Sequence, residues 1–201
     1  LICSTGMSSE EEIRFTADFL DSNKADYVLL HCNSTYPAPL HDINLNWMTK
    51  LKEIHPMIGY SGHERGISVT MAARALNACV IERHFTFDRD MEGPDHAASL
   101  MPDEFSDMVK GIREIESALG NGTERFISQG EMINRENLSK SLVASGPILK
   151  GTIIDKSHIS IKSPGQGISP QKYTSLIGRE LNRDMDTEDF FYDSDINSKF
   201  V

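Results

Sequence analysis

Two short runs in this sequence each end in a histidine, and the residues between them repeat at helical spacing. The first run is Gly59-Tyr60-Ser61-Gly62-His63 and the second is Val80-Ile81-Glu82-Arg83-His84-Phe85. Between them Val69, Ala72, Ala73 and Leu76 form an apolar stripe that Asn77 closes. Strand, helix and strand in such quick succession point to a parallel α/β sheet, where sites are built at the carboxyl ends of strands. Two imidazoles delivered to one rim can share a divalent cation, because neutral imidazole binds Zn, Mn and Fe class ions. They can also be hydrogen-bonded structural histidines. A structural metal site takes four ligands, and the spacing shows two.

The same unit recurs on both sides. Leu1-Ile2-Cys3-Ser4-Thr5-Gly6 reads as a buried strand, which makes the chain look like the rear part of something longer. Ser8 or Ser9 with Glu11 or Glu12 offers a capping box, and Ile13, Ala17 and Leu20 give that helix its core face. Tyr27 to Cys32 is a second strand, running into the loop Asn33-Ser34-Thr35-Tyr36-Pro37-Ala38-Pro39. Leu45, Met48, Leu51 and Ile54 mark the helix that follows. After His84 a polar loop, Asp88 to His96, precedes a helix opened by Pro102, striped by Phe105, Met108, Ile112 and Ile115, and closed by Gly120. Four strand–helix units make half of a (β/α)8 barrel, which has eight in about 250 residues.

Residues 121–137 are polar with weak periodicity and read as a linker. From 138 to 197 short apolar pairs alternate with Gly146-Pro147, Gly151 and Ser163-Pro164-Gly165-Gln166-Gly167, as in a small turn-rich domain near the lower size limit for folding on its own core. The expected organisation is a half barrel over 1–120, a linker over 121–137 and a small domain over 138–197. A net charge of -10 argues against nucleic acid and against an anionic membrane surface. Asp184, Asp186, Glu188, Asp189, Asp193 and Asp195 read as a solvated acidic face. Cys3, Cys32 and Cys79 read as reduced, buried small hydrophobes of a cytosolic protein.

The ordered blocks Ser4-Thr5-Gly6-Met7, His31-Cys32 with Tyr36-Pro37, Gly59 to His63, Glu82 to Thr86 and Gly93-Pro94-Asp95 resemble the sialic acid synthase family. Ser141-Leu142, Lys150-Gly151, Ile161 to Ile168 and Ile177-Gly178-Arg179 resemble the antifreeze-like (SAF) domain of the same enzymes. That resemblance implies the C-terminal half of a TIM barrel followed by a SAF domain. It implies a cytoplasmic transferase that condenses phosphoenolpyruvate with an N-acetylmannosamine-type sugar, giving a nine-carbon 2-keto acid and phosphate. It also implies a homodimer in which the SAF domain of one chain caps the barrel of the other.

Roles carry over position by position. His63 and His84 would hold a Mn or Mg class cation that polarises the aldehyde oxygen. Glu82 joins them in the expected catalytic set, and either it or Arg83 would steady a metal ligand. Ser4 and Ser61 would line the phosphoenolpyruvate pocket, with Ser34 where close relatives carry an asparagine. Tyr36 and Asp95 would contact the sugar. His31 is expected to be a hydrogen-bonded barrel histidine, and His41, His55, His96 and His158 surface residues. Two departures stand out. Ser163 occupies a position where some relatives place an arginine that reaches the acyl-sugar, which leaves legionaminic, pseudaminic and spore-coat polysaccharide synthases in view. The lysines that the family places in the front half of the barrel are absent, so the chain by itself is expected to be inactive. Among strand-end residues Arg83 is the one arginine that could meet a phosphate. A rival outside the enzymes is a carbohydrate-binding module on a half-barrel scaffold.

Overall fold

Strands β1 (Ile2–Ser4), β2 (Val28–Cys32), β3 (Ile58–Gly62) and β4 (Ile81–Arg83) lie side by side, all parallel, in the order β1-β2-β3-β4. The computed structural model describes residues 1–200, and for 198–200 the backbone path alone. It divides into two units, 1–123 and 124–201.

In the first unit each strand hands over to helix: α1 (Glu10–Ser22), the short α2 (Leu40–Ile43) with α3 (Trp47–Ile54), α4 (Ser68–Ala75) and α5 (Pro102–Leu119). Helix α1 starts where Ser9 and Glu12 close the capping box, each side chain satisfying the other's free backbone N–H. Pro102 opens α5, where the missing N–H costs nothing. Because strand side chains alternate, Leu29, Ile58, Tyr60 and Ile81 face the helices. They pack on Ile13, Ala17, Leu20, Met48, Leu51 and Ala73. A satellite cluster of Leu100, Met108 and Ile112 receives Ile67, Met71 and Phe105. Gly59 allows β3 to lie close to its neighbours: a Cβ there would sit 2.3 Å from Leu30 Cδ2 and 2.6 Å from the Val80 carbonyl.

The opposite face carries Ser4, Leu30, Cys32, Ser61 and Glu82, brought level by the register Ser4↔Leu30 and Cys32↔Ser61↔Glu82. This is the curled parallel half-barrel that the repeat of four units implied, and both β1 and β4 are edge strands among the described residues.

The second unit begins with a finding the sequence did not suggest. Within 121–137, expected as a linker, α6 (Gln129–Leu138) starts at a capping box between Ser128 and Glu131, and none of its residues is buried. Weak periodicity reflects that exposure, because without a buried face there is no stripe to detect. Strand β5 (Ser141–Ala144) pairs antiparallel with β6 (Ile159–Lys162), and after the short helix α7 (Tyr173–Leu176) strand β7 (Arg179–Leu181) pairs with β8 (Ile196–Phe200). Leu142, Ala144, Ile148, Ile154, Ile168, Leu176, Leu181, Met185 and Phe191 form its core.

Two expectations fail here. Cys79 is exposed, since it precedes β4 rather than lying in it. The acidic C-terminal stretch is only partly a solvated face. Asp195 is 6% exposed and, with Asp189, grips the Arg183 guanidinium at 2.8 and 3.0 Å. Those two carboxylates hold Arg183 above the usual arginine range, and the Asp186 N–H, followed by Arg183, keeps Asp189 below the usual carboxylate one. Among the described residues no helix is long and apolar enough to cross a membrane.

Leu51, fully buried in α3 beside Trp47, tests this core. Leu51→Ala should cost about 2–5 kcal/mol, read as a lower urea midpoint of Trp47 fluorescence.

Candidate active site

At the carboxyl ends of β3 and β4 the imidazoles of His63 and His84 lie edge to face, with centroids 5.1 Å apart. The two Nδ1 atoms meet different partners. His63 Nδ1 lies 2.8 Å from the Asn33 carbonyl, so that nitrogen carries the proton and donates, leaving the Nε2 lone pair free. His84 Nδ1 lies 3.5 Å from Asp95 Oδ2. The Tyr36 ring stands beside both, 5.5 Å from His63 and 4.5 Å from His84.

Two loops build this wall. The loop after β2 turns on Asn33, whose side chain accepts from the Thr35 N–H, and it is fixed to the rim where the Ala38 N–H donates to the His63 carbonyl. Its Tyr36–Pro37 peptide is cis. The loop after β4 is fixed at its far end, where the Leu100 N–H donates to the His84 carbonyl and the Leu100 carbonyl accepts from the Thr86 N–H. Tyr36 Oη joins the loops by donating to the Asp95 carbonyl at 2.9 Å and meeting Ser99 Oγ at 3.1 Å.

The sequence-predicted residues divide into three groups. His63, His84, Tyr36 and Asp95 meet in one cluster. Ser61 is buried beneath them and donates to Glu82 Oε1 at 2.7 Å, so these two meet as a pair. Ser4 and Ser34 lie at the neighbouring ends of β1 and β2. There Gly6 keeps the space open, since a Cβ on it would stand 2.1 Å from Ser34 Oγ. Both serines are exposed, and Ser4 Oγ accepts only a long 3.4 Å bond from the Gly6 N–H.

Arg83 is a correction. It faces the helices, 2% exposed, with Nη1 2.9 Å from Glu64 Oε1, so it is not available to a phosphate on the other face. Period-two alternation explains this: Glu82 and His84 share one face, and Arg83 takes the other. Sequence reasoning missed Glu64, although its place between His63 and a glycine turn was visible. It accepts from Tyr60 Oη at 2.7 Å and Thr70 Oγ1 at 3.1 Å. Burial and the Glu64 charge push the Tyr60 phenol well above the ordinary range.

His31 behaves as expected. It is buried, with Nε2 2.7 Å from the Ile43 carbonyl, and belongs to the helix side of β2. His96 is half-buried rather than free on the surface, its Nδ1 2.7 Å from Thr86 Oγ1. In the second unit Lys162, next to Ser163, pairs with Glu188, and the Ser163–Pro164 peptide is cis.

Among the described residues no group of three or more His, Cys, Asp and Glu is placed to hold a metal. The centroid spacing of the two rings can be set against that of two imidazoles on one ion. With bonds of about 2.1 Å, two imidazoles on one ion have centroids about 5 Å apart, which is the observed spacing. A two-ligand protein set leaves the remaining positions to water or substrate, as a catalytic ion needs and a structural one does not.

Comparison with known proteins fits this geometry. Residues 1–124 match the NeuB family and residues 139–197 the SAF domain. The chain belongs to the NeuB family. It is 43% identical over 183 residues to the N,N'-diacetyllegionaminic acid synthase of Campylobacter jejuni, covering 89% of this chain and 54% of that protein. It is 35% identical over 184 residues to the human N-acetylneuraminate-9-phosphate synthase, covering 90% of this chain and 51% of the relative. The crystal structure of the N-acetylneuraminic acid synthetase of Leptospira borgpetersenii, in complex with citrate, superposes with a TM-score of 0.61 at 36% identity, over 66% of this chain and 47% of that one. This NeuB-family chain thus spans about half the length of the curated relatives it matches.

Two predictions follow from the buried polar groups. Burial pushes the His31 imidazole below its ordinary pKa of 6.5, against the backbone carbonyls that favour the cation. The unfolded chain therefore takes up a proton below about pH 6.5 that the fold refuses, and stability falls as pH drops through that value. His31→Gln should flatten the acid side of a plot of urea midpoint against pH. Tyr36→Phe keeps the ring and loses the hydroxyl bond, at about 0.5–1.5 kcal/mol. Amide exchange of Ser99, whose N–H bonds the Asp95 carbonyl, should quicken.

Proposed function

We propose that this chain carries the cation and acceptor half of a synthase that condenses phosphoenolpyruvate with an open-chain N-acylated sugar and one water, giving a 2-keto acid and phosphate. The observation that carries it is the pair of imidazoles, 5.1 Å apart on one rim, with His63 held at Nδ1 by the Asn33 carbonyl and His84 beside the Asp95 carboxylate. A Mn or Mg class cation bound there would serve as a Lewis acid for the acceptor aldehyde. The rest is done by this chain's own groups. The Asn33 carbonyl sets the His63 tautomer. The exposed carboxylate of Asp95 stands beside His84, ready for a sugar hydroxyl. The Tyr36 hydroxyl is committed to the Asp95 carbonyl, so what Tyr36 offers a sugar is its ring. Glu82, steadied by Ser61, places a carboxylate on the same face one residue before β4 ends. Ser4 and Ser34 supply hydroxyls at the adjoining strand ends. A phosphate dianion also needs cations or several N–H donors, and Arg83 is spent elsewhere.

Among acceptors, the sugar leading to N,N'-diacetyllegionaminic acid is the first to test, because the relative named for that product is 43% identical and the N-acetylneuraminate-9-phosphate synthase 35%. Ser163, which cannot make the charged bidentate contact of an arginine, leaves the pseudaminic and spore-coat polysaccharide alternatives to be tested beside it.

Titration with Mn2+ followed by calorimetry tests the site. One ion per chain is expected, and the double variant His63→Ala, His84→Ala should bind at least about 100-fold more weakly. A wild-type chain that takes up no cation, or a double variant that binds as well, overturns the proposal.

A further inference from the structure

The residue after the first histidine and the residue before the second form a fully buried ion pair. Glu64 and Arg83 are 0% and 2% exposed at their side chains, 2.9 Å apart. The guanidinium also donates from Nη1 to the Gly66 carbonyl at 2.8 Å and to Thr70 Oγ1 at 2.6 Å, and from Nη2 to the Glu64 carbonyl at 2.5 Å. One side chain of β4 thus holds the whole turn by which β3 passes into α4. The carboxylate is fixed from the other side by Tyr60 of β3 and Thr70 of α4. Gly62 belongs to the same construction: a Cβ there would stand 2.8 Å from Arg83 Cδ and 2.9 Å from Glu64 Oε2.

Stability is a poor reason for such a pair. Desolvating two charges costs about what their attraction returns, and well-packed apolar residues in their place are often neutral or better. Arg83 Nε is moreover buried with no hydrogen-bond partner. What the pair does supply is position. Its two members are bonded covalently to His63 and His84, so fixing Glu64 against Arg83 fixes the backbone from which both imidazoles project.

We propose that Glu64 and Arg83 are positioning residues that set the relative placement of the His63 and His84 rings. The inference rests on reading those rings as a cation-binding pair, and it is measured without the cation. The Glu64→Gln, Arg83→Met double variant removes both charges together and so leaves neither one stranded. In metal-free protein, 15N spectra of the imidazoles should show wild-type His63 as a single tautomer protonated at Nδ1. The folded double variant should show mixed tautomers and displaced His84 signals, and should bind Mn2+ at least about tenfold more weakly. Thr70→Val withdraws one bond from each partner and keeps both charges; it should move the same signals less, and it carries the test if the double variant does not fold. Wild-type imidazole spectra in whichever of these variants fold overturn the inference. Altered spectra in variants of a wild-type chain that binds no Mn2+ support the positioning role and refute the cation reading alone.

Discussion

The parallel pairing of β3 with β4 in the register Ser61↔Glu82 is the constraint from which the site follows. Two residues past that pair, the chain must place His63 and His84 on the same face and at the same height, because strand side chains alternate and parallel strands stay in step. A slip of one residue would send His84 to the helix side and bring Arg83 to the face that carries Ser61 and Glu82. Several features lock the register. Gly59 lets the strands approach, and the Tyr60 N–H and Cys79 N–H bond across to Val80 and Ile58. On the helix side the guanidinium of Arg83 ties β4 to the turn beyond β3.

Much of this was visible in the residues. The four strand–helix units, the serine cap of α1, the proline start of α5 and the two rim histidines are local signals, each set by a few neighbouring side chains. The order of the blocks also identified the family. The fate of Arg83 could have been read from alternation, since Glu82 and His84 cannot share a face with the residue between them. Other features are not local. Nothing near Glu64 in sequence indicates that its carboxylate meets an arginine on the next strand. Nothing near Asn33 indicates that its carbonyl would choose the tautomer of a histidine thirty residues on. Helix α6 escaped notice because it buries none of its residues and so has no apolar stripe.

Charge is distributed with a consistent logic. Two arginines of the β4 strand and its following loop are neutralised within the fold: Arg83 by Glu64, and Arg89 by Glu104 at 2.5 Å. Glu82 and Asp95, by contrast, keep carboxylates toward solvent on the rim. Electrostatically, such a rim favours a cation and neutral polyhydroxylated molecules over a bare dianion.

Asp95 touches both sides of the cluster, His84 through its carboxylate and Tyr36 through its carbonyl. Tyr36 in turn leans on both rings. A guest that draws the Asp95 side chain toward itself must therefore tug the aromatic wall and one imidazole at once. If an ion sat between the rings, the change a guest made in its affinity would be returned to the guest in equal measure, whichever its sign.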